Sequence, residues 1–280
     1  MCASADRRPV LSWLMLILAV AGCHGDGSAG ASGTGSDTVF VETFESGTLA
    51  AWDDGVDTSR HHVVSDSTFA HSGRRYLAVD YRAGGDGGWL THFLTPGFDS
   101  LFVSYYVRFP ATWVGGTKLL ALYGSRSDDR WSAFGKAGIC PTGSDFFMAM
   151  IIAEVTGDPG PARFYTYYPQ MAREPDGVTC WGRYGDGTEV YEPPLTLSPG
   201  GWHRIEFWLR LNAPGRRDAT QTFWIDGVRR GTWSGIGLRS SDVLRVNAVQ
   251  LTFNRGASGG PIAEQLYVDD LVVTRRAPNR

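Results

Sequence analysis

In Leu101-Phe102-Val103-Ser104-Tyr105-Tyr106-Val107-Arg108-Phe109, the residues Leu101, Val103, Tyr105, Val107 and Phe109 are all large and apolar. Ser104, Tyr106 and Arg108 fall between them. A period of two puts the first set on one face of an extended chain and the second on the other, as in a half-buried β-strand. The same alternation recurs in Arg204 to Leu211, in Thr222 to Asp226 and in Val249 to Asn254. Asp226-Gly227 is a hairpin signal between two such runs. Phe146 to Val155 is apolar on both sides, as a central strand covered on both faces would be. No long amphipathic helix interrupts the pattern. The expected fold is all-β, an antiparallel β-sandwich of jelly-roll type.

Several positions opposite the core carry rings and hydrogen-bonding groups rather than small polar residues. They are Tyr106, Arg108, Trp208, Arg210, Trp224, Gln250 and Asn254. Aromatic faces beside polar groups suit a sugar ring, so these residues are candidate substrate contacts. The alternative is that this face packs beneath long loops.

The folded domain is expected over residues 38–276, with a short tail at 277–280. Ahead of it, 23–37 is rich in Gly and Ser and reads as a flexible tether. Residues 1–22 read as an export signal: Arg7 and Arg8 precede a short apolar stretch, Val10 to Val20. That stretch is about half the ~20 residues a membrane-spanning helix needs. Val20-Ala21-Gly22-Cys23 resembles the lipobox of bacterial lipoproteins. The resemblance implies cleavage before Cys23, its acylation, and a lipid-anchored life on the bacterial cell envelope, with the membrane as a partner. His24 stands where an aspartate is associated with inner-membrane retention, which points toward the outer membrane. An ordinary secretory signal cut nearby would also export the chain.

Without Met1–Gly22, 258 residues remain, with 24 basic and 28 acidic side chains. A slightly negative chain without a basic run argues against nucleic-acid binding. Aromatic residues make up 12 % of the sequence, ten of them Trp. The cysteines left after removal of Cys2 and lipidation of Cys23 are Cys140 and Cys180. In an oxidising compartment these two are expected to pair. A metal site is the rival reading, but neither has a CxxC partner or a nearby His cluster.

Beyond the alternation, several motifs follow in a fixed order. Tyr105-Tyr106-Val107-Arg108-Phe109-Pro110 is followed by Gly115-Gly116-Thr117-Lys118-Leu119 and by Arg163-Phe164-Tyr165-Thr166-Tyr167-Tyr168-Pro169. Gly201-Trp202-His203-Arg204-Ile205-Glu206, Trp224-Ile225-Asp226-Gly227 and Leu266 to Val273 complete the series. The series resembles the family-14 polysaccharide lyases, which include alginate and glucuronate-polymer lyases, within the concanavalin A-like superfamily. The resemblance implies an anionic, uronate-containing polysaccharide as partner, with no cofactor required. It also implies that Lys118 neutralises the uronate carboxylate and activates tyrosine. Tyr165 and Tyr167 match the family's paired tyrosines, one as base and acid, the other as a positioning group. They are two residues apart and so share one strand face.

Elimination needs such a constellation. A cation must make the enolate-like charge tolerable, and a proton must leave the carbon and reach the departing oxygen. Ionising an ordinary tyrosine at pH 7 costs about 4 kcal/mol, so a cation nearby matters. One feature departs from the family. It carries Ser and Arg on the strand between these motifs, whereas Phe146 to Glu154 offers Met148, Ala149, Met150 and Ile151. A non-catalytic carbohydrate-binding, envelope-structural or adhesion module of the same fold is therefore the alternative function. Ser125 to Ser144, which holds Cys140, looks inserted, and its bridge to Cys180 is expected to pin a loop across the groove.

Other chemistries find less support. Glu154, Glu206 and Asp226 are the candidate acids for glycoside hydrolysis, and a nucleophilic triad has no G-x-S-x-G elbow. His61, His62 and His71 sit in a polar early loop and suggest a metal only weakly. Glu42 and Asp269, on first and last strands that are expected to pair, are candidate oxygen ligands for a structural Ca2+.

Overall fold

Fourteen β-strands and no α-helix make up residues 37–255 and 260–278, the part of the chain that the computed structural model describes. The expected signal at 1–22, the lipid-bearing Cys23 and the tether up to residue 36 lie outside the described residues. One sheet runs β2 (His61–Ser65), β3 (Arg75–Tyr81), β14 (Glu264–Thr274), β5 (Ser100–Arg108), β10 (Trp202–Arg210), β11 (Ala219–Ile225), β12 (Val228–Ile236), β9 (Val190–Tyr191). β1 (Thr38–Glu42) also pairs with β14, so this sheet has nine strands. The other sheet has five, in the order β4 (Trp89–Phe98), β13 (Leu244–Thr252), β6 (Thr117–Arg126), β7 (Phe146–Ala153), β8 (Ala162–Tyr167). Every strand pair is antiparallel. The architecture is the antiparallel β-sandwich jelly roll that the alternation indicates.

The alternating apolar sets form the interior between the sheets. Val103, Val107, Ile205 and Phe207 of the large sheet are fully covered, as are Leu120, Leu122, Phe147, Ile151, Val249 and Leu251 of the small one. Contacts across the interior fix which side of each strand faces in. The ring of Phe164 on β8 meets that of Phe223 on β11 edge to face, with centroids 5.1 Å apart. The Gln221 side chain on β11 donates to the Thr166 hydroxyl on β8 at 2.9 Å. Asp226 and Gly227 join β11 to β12 with φ of 53° and 77°, as a two-residue turn matched to strand twist requires. Phe146 to Val155 is a strand up to Ala153. Its inward face is core, and on its outward face Phe146, Met148 and Met150 are buried while Ile152 is half-buried.

Candidate active site

Since Phe164 and Thr166 point inward, Tyr165 and Tyr167 point out of the five-stranded sheet. Register then defines rows of neighbours on that outer face, because directly opposed residues share a side. One row is Thr91, Gln250, Ala121, Met150, Tyr165. The next is Phe93, Ala248, Tyr123, Met148, Tyr167.

Lys118 reaches this face through an irregularity. Plain alternation along β6 would put Lys118 on the side of Leu120 and Leu122, in the interior. A register shift between Lys118 and Leu120 leaves Lys118 opposite Ile152 and Leu120 opposite Ile151. The extra residue, Leu119, is buried, and the lysine turns outward. A bulge beside a site that needs one side chain re-aimed is a common device. The preceding glycines permit it. Gly115 has φ +79°, and a Cβ on Gly116 would sit 2.3 Å from the Ala153 carbonyl oxygen. The Lys118 amide donates to Asn254 O at 2.9 Å, which anchors the strand end.

The three side chains singled out from the sequence meet in one depression. The Tyr165 and Tyr167 hydroxyls are 3.4 Å apart, and the Lys118 ammonium lies 5.8 Å from the Tyr165 ring centroid. A hollow of about 400 Å³ opens between Lys118, Tyr165, Glu154, Tyr184, Asn254 and Arg255. It adjoins a narrower one of about 150 Å³, where Lys118 and Tyr165 are joined by Tyr167, Met148, Met150 and Lys136. Tyr167 is only 2 % exposed and forms part of the floor of the narrower hollow. Burial holds the Lys118 ammonium below the ordinary lysine value. Burial, followed by the hydrogen bond to Tyr167, pushes the Tyr165 phenol up, while a backbone hydrogen bond from Gly182 and the nearby Arg183 pull it back. Tyr165 is therefore a neutral phenol at pH 7.

Two loops close the sides. Residues 127–145 fold back so that the Phe134 ring stacks on Tyr123 at 4.6 Å. Tyr123 donates to Gln250 Oε1 at 3.0 Å, and Gln250 Nε2 donates to Thr91 at 2.8 Å, a polar line across the sheet. Cys140 and Cys180 are disulfide-bonded, with Cα atoms 4.9 Å apart. Past Cys180 the chain lies flat against Tyr165, where a Cβ on Gly182 would sit 2.5 Å from the ring. The bridge thus ties the two loops that flank the hollow.

The expected sugar-binding face divides between the two layers. Asn254 lines the hollow, whereas Gln250 is buried on the outer face of the same sheet, tied to Tyr123 and Thr91. Tyr106, Arg108, Trp208, Arg210 and Trp224 lie on the outer face of the nine-stranded sheet, across the interior from Lys118. Alternation places a residue opposite the core but does not say which of two outer faces it joins. For Tyr106 and Arg108 the loop-packing alternative holds. His71 stacks on Tyr106 at 3.4 Å, and Arg108 lies over Phe69 at 4.2 Å.

The candidate hydrolytic acids do not share a cleft. Glu154 pairs with Arg163 at 2.9 Å beside the hollow. Glu206 is buried on β10, and Asp226 holds His203 at 2.7 Å in a turn of the other sheet. β1 and β14 do pair, with Glu42 opposite Leu271. However, Glu42 accepts the Phe44 amide, and Asp269 accepts the amides of His71, Ser72 and Asp270. Among the described residues no group of three or more His, Cys, Asp or Glu is placed to hold a metal, so the Ca2+ expectation gains no ligand set. Lys136, Tyr123 and Arg255 escape notice in the sequence. The one available signal concerns Lys136, the only lysine besides Lys118.

Residues 84–260, which carry Lys118 and both tyrosines, match the model of a family described as polysaccharide lyase 14. The chain belongs to that family. No curated protein matches it in sequence. Among solved structures, this member of the polysaccharide lyase 14 family is similar to a marine PL-14 alginate lyase from Aplysia kurodai. They are 15 % identical with a TM-score of 0.66, covering 85 % of this chain and 99 % of the other. It also resembles the alginate lyase vAL-1 from Chlorella virus (14 % identity, TM-score 0.60, coverage 81 % and 93 %). The endo-β-1,4-glucuronan lyase of the fungus Trichoderma reesei is a third (15 %, 0.57, 85 % and 96 %). At these identities the likeness establishes a shared fold.

Proposed function

We propose that this chain cleaves a uronate-containing polysaccharide by β-elimination at the hollow formed by Lys118, Tyr165 and Tyr167. The observation that carries this reading is the convergence of one partly buried ammonium and two phenols in a single open depression. The family and its alginate- and glucuronate-cleaving relatives support the substrate class. Lys118 neutralises the carboxylate, so that the carbon beside it gives up its proton at lower cost. The C4–O4 bond then breaks, a C4–C5 double bond forms, and the oxygen leaves with a proton. Tyr165, a neutral phenol, donates that proton. Tyr167, whose hydroxyl is 3.4 Å from that of Tyr165, accepts the C5 proton as it passes its own to Tyr165, so that the pair moves one proton in all from C5 to O4 and ends as it began.

The outward residues of β7 favour a second reading. Met148, Met150 and Ile152 place no cation or hydroxyl on the strand between Lys118 and the tyrosines, as a binding module without turnover would tolerate. Incubation with alginate and with polyglucuronate, read as ultraviolet absorbance of the unsaturated product, separates the two. Absorbance that rises with the wild type and is abolished by Lys118→Ala and Tyr165→Phe upholds the lyase. Binding without absorbance upholds the module. We further propose that the enzyme works from a bacterial envelope as a lipoprotein anchored through Cys23. Palmitate labelling that is lost in Cys23→Ser tests this.

A further inference from the structure

The protein carries 26 basic residues, of which only Lys118 and Lys136 are lysines. Both line the narrower hollow over Tyr167, and no arginine does. Elsewhere the chain uses guanidinium for its cations, and many are committed to carboxylates, among them Arg126, Arg163, Arg183, Arg239 and Arg255. Among the described residues neither lysine forms an ion pair. Two compact, uncommitted ammonium groups facing one hollow suit two separate carboxylates, since an ammonium binds as a point charge from any direction whereas guanidinium binds as a flat fork.

Lys136 is held there by contacts on either side. Before it, Phe134 stacks on Tyr123, and the Ala133 amide donates to Ser125 Oγ at 3.3 Å. After it, Ile139 N donates to Lys136 O at 3.1 Å, and Cys180 N donates to Gly138 O at 3.1 Å next to the disulfide. The Lys136 ammonium stands 6.0 Å from the Phe146 ring centroid. The floor beside it is Met148 and Met150, so a second acidic sugar finds its cation on the loop.

We infer that Lys136 is a specificity-determining residue. Its ammonium binds the carboxylate of the uronate next to the one that Lys118 neutralises, and the Cys140–Cys180 bridge holds it in place. The inference rests on the uronate reading of the hollow. It makes the enzyme selective for runs of consecutive uronates over chains in which uronates alternate with neutral sugars.

The test compares wild type, Lys136→Ala, Lys136→Arg and the double variant Cys140→Ser/Cys180→Ser. KM and kcat are measured on polyuronate and on an alternating polymer, and Kd is measured for a saturated uronate oligosaccharide at low and high salt. Lys136→Ala is expected to raise KM and Kd on polyuronate about tenfold with kcat within about threefold, the loss of one charge-assisted contact. It should also weaken the salt dependence and narrow the preference for polyuronate. Lys136→Arg, which keeps the charge but presents a flat fork, should fall between wild type and Lys136→Ala, and the double variant should follow Lys136→Ala. Unchanged KM and Kd in Lys136→Ala, or a fall in kcat alone, overturns the inference and leaves the lyase reading standing. If the wild type binds the oligosaccharide without cleaving any polymer, the lyase reading falls and the Kd comparison still decides the role of Lys136. A wild type that neither binds nor cleaves overturns both.

Discussion

Lys118 faces Ile152 across the β6–β7 pair, whereas Leu120, two residues on, faces Ile151. That one-residue slip puts an ammonium on the outer surface of a strand whose neighbouring even-numbered residues are core. The candidate site depends on it, because an uncompensated charge in the sandwich interior would be costly.

Lys118→Ala should lower kcat/KM on a polyuronate by about 10²–10³, the scale of losing one group that stabilises developing negative charge. The side chain points away from the interior, so the thermal midpoint should move little. Steady-state kinetics beside a melting curve checks both. A variant that retains most activity would remove Lys118 from the chemistry.

Burial lowers the Lys118 pKa from the ordinary value of 10.5. The ammonium is the form that neutralises a carboxylate, so activity should fall as pH rises through that lowered value. The alkaline limb of kcat/KM is therefore expected at lower pH than for an exposed lysine. Lys118→Arg, which cannot lose its proton in this range, should retain some activity and lack that limb.

Residues on the other layer should be dispensable for cleavage. Trp208→Ala and Arg210→Ala are expected to leave kcat/KM within about twofold, since surface changes distant from a site rarely exceed a few tenths of a kcal/mol. A large loss in either would mean that the polymer wraps onto the nine-stranded sheet.

Cys140 and Cys180 close a loop with a sequence separation of 40. The chain-entropy argument assigns such a cross-link about 4 kcal/mol. The double serine variant should unfold at clearly lower denaturant concentration, as equilibrium unfolding would report. An unchanged midpoint would place the effect of the bridge in the loop alone.

His61 is 3 % exposed and satisfied as a neutral ring: Nδ1 accepts the Asp57 amide at 3.2 Å and Nε2 donates to Gly87 O at 2.9 Å. Burial lowers its pKa below 6.5. Between the folded and unfolded values the unfolded chain binds more protons. The stability contributed by the neutral ring is thus present above about pH 6.5 and lost as pH falls toward the lowered value. His61→Gln should start less stable at pH 7, and the gap to wild type should narrow on acidification. Melting curves at a series of pH values check the sign.

The strands were legible because period two survives wherever one face meets the core, as in Leu101 to Phe109. The pairing of Tyr165 with Tyr167 was legible for the same reason. What alternation cannot carry is the choice between two outer faces, which is why Trp208 and Trp224 were grouped with Gln250. Nor does it carry a bulge: by period alone Lys118 belongs with Leu120, and only its place in the Gly-Gly-x-Lys-Leu motif marked it. Lys136 stayed hidden because a loop that returns over a sheet leaves no periodic trace.

Thr38 and Thr274 are register partners at the outset of β1 and the close of β14, so the folded unit starts and stops at neighbouring points. Such a unit tolerates relocation of its ends. A short peptide across that gap, with the backbone opened at the exposed turn around Gly215, gives a circular permutant in which the two sheets and the hollow beside Lys118 keep every strand pairing they have now.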